Sequence, residues 1–118
     1  MAIILHITQQ ETWGAAREAG SYQADTLALE GFIHCSTPEQ VVEVANARFR
    51  GQEGLVLLCI EEAHLQAEVR YEDCYDTGQK FPHIYGPLNL AAVMQVLAFP
   101  PQEDGTFMLP PWTAGEQV

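Results

Sequence analysis

With 118 residues, 47% of them hydrophobic and 18% charged, the chain has a globular composition and is long enough to bury a core without disulfides or metals. Sixteen acidic residues against five basic ones leave a formal charge of -11, which argues against nucleic acid and against an anionic membrane surface as partners. The cations Arg17, Arg48, Arg50, Arg70 and Lys80 are scattered and form no basic face.

Cys35, Cys59 and Cys74 form no CxxC pair and are odd in number, so reduced thiols in the cytoplasm are expected. The apolar start, Met1 to Leu5, is too short for a signal peptide or a membrane span. One domain over residues 1–110 and a loosely held tail over 111–118 are expected.

Ile3–Ile7 reads as a buried strand, and Thr8-Gln9-Gln10-Glu11 as a capping box opening a helix over Gln9–Ala19 that Gly20 stops. His6 then lies near a strand end and a helix start. Ser21–Glu30 reads as a connection of little regular structure, anchored by Tyr22 and the Leu27/Leu29 alternation. Gly31 opens a second strand, Phe32–Cys35, whose alternation puts Phe32 and His34 on one face and Ile33 and Cys35 on the other. Thr37 is the expected N-cap of a helix over Pro38–Arg50, with Gln40 reaching back as its partner. His34 thus repeats the setting of His6. Val41, Val44, Ala45 and Phe49 form a helical stripe read as core packing.

Leu55–Ile60 is unbroken apolar sequence and reads as a central strand covered on both faces. Glu61–Leu65 suggests a short helical turn with His64 solvated, Val69–Glu72 a half-buried strand, and Asp76–Lys80 a polar loop. In Phe81–Leu88 two prolines and a glycine argue for a structured loop and against a central strand. His83 and Tyr85 would share one side if that segment is extended. Leu90–Val93 reads as one helical turn and Val93–Phe99 as the last strand.

A histidine by itself is more often a satisfied core residue than a ligand. Three of them, His6, His34 and His83, in strand–turn settings are more informative. The blocks Leu5-His6-Ile7-Thr8, Gly31-Phe32-Ile33-His34-Cys35-Ser36 and Phe81-Pro82-His83-Ile84-Tyr85-Gly86-Pro87-Leu88 resemble the small bacterial family known as domain of unknown function 952 (DUF952). The resemblance runs from about Ile3 to Phe99. It implies an α+β fold: a compact, split and bent β-sheet of the ADP-ribosyltransferase-like type with two main helices. It also implies a cleft for a nucleotide-like small molecule, with NAD as the candidate cofactor.

On that resemblance His6, Thr8, His34 and Ser36 are the ligand-binding positions, and His34, His83 and Tyr85 the catalytic ones. His6 would bond a ribose hydroxyl and His34 would position the nicotinamide ribose. His83 or Tyr85 would contact the leaving or attacking group. The family's third position is often a glutamate, and none stands in the third block here. Glu72 is a positional candidate for the missing charge, with an exposed surface acid as its plain alternative. A non-catalytic sensor or interaction module on the same fold is the other functional reading. No metal site is expected, because no CxxC or HExxH spacing occurs. Cys35 and His34 point to opposite strand faces and are poorly placed as a nucleophile pair. The structural alternative is that the imidazoles tie strands together through both ring nitrogens.

Overall fold

The computed structural model describes residues 2–73 and 76–110; Cys74 and the tail at 111–118 lie outside the described residues. In chain order it forms β1 (Ile3–Gln9), α1 (Gln10–Ala19), β2 (Ser21–Tyr22), α2 (Asp25–Glu30), β3 (Ile33–His34) and α3 (Val41–Arg48). There follow β4 (Leu55–Glu61), β5 (Glu68–Glu72), β6 (Phe81–Tyr85), β7 (Leu88–Asn89) and β8 (Val93–Ala98), with 3-10 turns at Glu62–His64 and Leu90–Ala92. The class is α+β. Among the described residues no helix is long and apolar enough to cross a membrane.

An apolar run with no polar face must be covered on both sides, and β4 is the middle strand of the antiparallel sheet β1-β4-β8. All seven of its residues are buried. Val56, Leu58 and Ile60 enter one core with Trp13, Tyr22, Ile33 and Ile84. Leu55, Leu57 and Cys59 enter a second with Val41, Ala45 and Phe99. A second sheet has the order β3-β6-β5, and β2 pairs with β7. Among the described residues one isolated bridge joins the two larger sheets: the Leu5 and Ser36 backbones exchange N–H···O bonds of 2.7 and 2.8 Å.

Several local expectations are corrected. Phe81–Tyr85 is a strand and occupies the centre of its sheet. Pro82 is tolerated because the β3 ladder is ending there: its carbonyl accepts from Cys35 N–H, and its missing N–H falls where no further pairing follows. The Ser21–Glu30 connection holds a short strand and a helix. Leu29 does not anchor it, being 81% exposed, whereas Tyr22 is buried. Thr8 does not cap α1, which has Gln9 at its N-cap and no side-chain cap bond. Thr8 belongs to β1, so His6 lies mid-strand. The second main helix begins at Val41, after a turn in which Thr37 C=O accepts from both Gln40 and Val41 N–H. Gln40 does reach back, accepting from Thr37 N–H at 3.0 Å.

Candidate functional site

Where β1, β3 and β6 meet α3 and the loop at 76–80, they enclose a cavity of about 500 Å³, a volume typical of small-molecule sites. His6, His34, Ser36 and His83 all line it. Segments nearly eighty residues apart are thereby brought together by two pairings, Leu5 with Ser36 and His34 with His83.

His6 is 7% exposed and uses both ring nitrogens within the protein. Nδ1 lies 2.6 Å from the His34 carbonyl and Nε2 lies 2.7 Å from the Tyr22 hydroxyl. Burial pushes its pKa down to about 4, so the ring is neutral near pH 7. A carbonyl only accepts, so Nδ1 carries the proton and Nε2 accepts from Tyr22 O–H. The Thr8 hydroxyl lies 2.9 Å from that of Tyr22 and extends the chain. Because the Leu5–Ser36 bridge between the two sheets is isolated, the His6 bond to the His34 carbonyl adds a side-chain tie beside it.

His34 is the more open ring. Gly31 ends α2 in a left-handed conformation (φ 89°), turning the chain so that Glu30 Oε1 comes within 2.6 Å of His34 Nε2. As alternation requires, Phe32 shares its face, with ring centroids 4.8 Å apart, while Ile33 and Cys35 go to the core. His83 is 1% exposed and lies flat on Phe32, at 4.2 Å and 19°. Its Nδ1 is 3.1 Å from Glu72 Oε1, the same oxygen that accepts from Tyr85 O–H. His34 and His83 meet edge to face at 5.2 Å.

The other expected positions divide. Tyr85 does not line the cavity and stands behind His83 with Glu72. Thr8 lines an adjoining smaller cavity of about 220 Å³, which shares Ile7, Tyr22 and Phe49 with the larger one. Cys35 lines the larger cavity, but burial raises its thiol pKa strongly and disfavours a thiolate. No group of three metal-ligating side chains occurs among the described residues.

Sequence reasoning missed the contribution of α3. Val41 and Ala45 are core, whereas Val44 and Phe49 line the cavity beside Glu43, Ala47 and Arg48. Helical spacing marks a face and cannot tell a filled core from a lined cavity. Across from α3, Thr77 and Gln79 close the wall. Their loop is held by Thr77 and Gly78 N–H donating to the Asp73 carboxylate and by Gln40 Nε2 donating to Lys80 C=O.

The model of the family described as "Protein of unknown function (DUF952)" matches residues 7–96. The crystal structure of protein CC0527 from Caulobacter crescentus is 34% identical, with a TM-score of 0.82 over 91% of this chain and 94% of that one. A solution NMR structure of the same protein gives 32% identity and a TM-score of 0.71 over 100% and 97%. No curated protein matches the chain.

Proposed function

We propose, from the premise that the chain belongs to the DUF952 family, that its cavity binds a nucleotide-like small molecule of the ADP-ribose type on an ADP-ribosyltransferase-like fold. The observation that supports this reading is the convergence of His6, His34, Ser36 and His83 on one cavity of about 500 Å³. Aromatic and aliphatic walls from Phe49, Phe81 and Val44 offer surface for a base, and His34 and Ser36 offer polar groups for a ribose.

In this reading His34, the most open of the three rings, is the direct ligand contact. His6 acts chiefly by holding the His34 backbone. Glu30 and Glu43 line the same space, and negative charge there would stabilise an oxocarbenium-like centre if an N-glycosidic bond were broken. A non-catalytic sensor is the second reading. The engagement of both His6 nitrogens inside the protein favours it, since that ring has no lone pair left for acid–base work.

A thermal-shift screen against NAD, NADP, ADP-ribose, nicotinamide and AMP tests the proposal. At a hundredfold excess over Kd a ligand adds about 3 kcal/mol, a shift of several degrees. ADP-ribose or NAD should raise the melting temperature of the wild type and leave that of H34A unchanged. No shift with any of the five would overturn the nucleotide reading. Chromatography of the bound nucleotide after hours of incubation separates turnover from sensing.

A further inference from the structure

We propose that Ser36 is the specificity-determining residue of the cavity: its buried hydroxyl, which has no partner among the described residues, is completed by a ribose hydroxyl of the ligand. This rests on the reading of the cavity as a ligand site, and it adds which group of the protein discriminates the sugar.

Two independent patterns fix where the Ser36 side chain points. Along the chain, Ile33 and Cys35 enter the core with Val56 and Leu58, so alternation sends His34 and Ser36 to the other face. Across the chain, Ser36 stands opposite Leu5 in an antiparallel bridge, and directly opposed residues share a face. Leu5 is fully buried and packs with Val41 and Ala45 of α3. Ser36 therefore projects toward α3, the side on which Glu43, Val44, Ala47 and Arg48 wall the cavity that Ser36 itself lines.

Ser36 is 5% exposed. Its N–H and C=O are both taken by the Leu5 backbone, and among the described residues its hydroxyl has no hydrogen-bond partner. The buried hydroxyls of Thr8 and Tyr22, by contrast, lie 2.9 Å from each other. Buried polar groups are nearly always paired, and one left alone loses its hydration without compensation. Glu30 and Glu43 line the same cavity against one cation, Arg48, among the described residues. That balance disfavours a phosphate oxygen at Ser36 and favours a neutral hydroxyl, which matches a serine hydroxyl as donor or as acceptor. A site built on such a bond rejects the analogue that lacks the hydroxyl, because the protein group is then left unpaired.

Thermal unfolding of the ligand-free full chain and titration calorimetry with ADP-ribose test this together. S36A removes the hydroxyl and leaves the backbone bridge, so its melting temperature should match or exceed that of the wild type. A fall of about 4 °C, the scale of losing one ordinary hydrogen bond in a chain of this size, would mean that the hydroxyl is satisfied inside the protein, and overturns the proposal. S36A should bind ADP-ribose about tenfold more weakly. S36C, which keeps the shape but is only a weak donor, should fall between. Among analogues of ADP-ribose that each lack one ribose hydroxyl, one should bind the wild type about tenfold more weakly yet bind S36A as well as ADP-ribose does. Unchanged affinity in S36A, or a deoxy penalty that persists in it, overturns the assignment. Should S36A fail to fold, S36C decides, and equal affinity in S36C and wild type overturns it. If the wild type itself binds no ADP-ribose, the nucleotide reading and this assignment fall together, whereas binding that S36A leaves intact removes this assignment alone.

Discussion

At the scale of the residue, His6 shows how one buried imidazole ties stability to pH. Its pKa of about 4 in the folded protein lies below the ordinary 6.5. Between those values the unfolded chain binds the extra proton and the folded one does not, so stability rises with pH through the window and falls on acidification. The loss from pH 7 to pH 5 is about 2 kcal/mol for this one group. Urea unfolding at the two pH values should show that difference in the wild type and a much smaller one in H6Q. An equal pH dependence in both would mean that His6 is protonated in the fold. Thr8 carries a related lesson. Its spacing to Glu11 is that of a capping box, but its hydroxyl lies by Tyr22, a partner fourteen residues away that no local rule could nominate.

At the scale of the element, β6 carries the site because its ends are held. Just beyond it Gly86 has φ 159°, and a Cβ there would lie 2.9 Å from the Ala67 Cβ. That methyl is fixed to its own backbone and cannot swing aside. G86A should therefore cost about 1–3 kcal/mol by overpacking. A67G placed in the same chain should recover a large part of the loss in chemical denaturation. Failure of A67G to rescue would locate the cost in the backbone instead of the contact. Sequence reasoning argues against this strand because proline loses a ladder bond and glycine costs conformational entropy. Here the bond missing at Pro82 falls where β3 runs out, and Gly86 lies beyond the last residue of the strand.

At the scale of the whole molecule, five cations cannot neutralise sixteen acids, and the fold works against its own repulsion. Raising salt from about 10 mM to about 150 mM shortens the screening length from about 30 to about 8 Å. The melting temperature should rise over that range. A fall would mean that attractive pairs, such as Arg70 with Glu68 at 3.0 Å, outweigh the net charge.

What the sequence by itself determined was whatever depends on neighbours along the chain. The apolar run of β4, the left-handed stop at Gly20, and the two-face alternation from Phe32 to Cys35 all follow from periodicity and backbone sterics. The three histidine blocks were legible too, as was their family. Tertiary structure alone decided which groups those histidines face. It gave His6 to Tyr22 and the His34 carbonyl, His34 to Glu30, and His83 to Glu72. It also turned half of an ordinary helical stripe into a cavity wall. The reason is physical: a period of two or of 3.6 fixes the direction of a side chain relative to its own backbone, whereas its partners come from segments that only the pairing of distant strands brings within hydrogen-bonding distance.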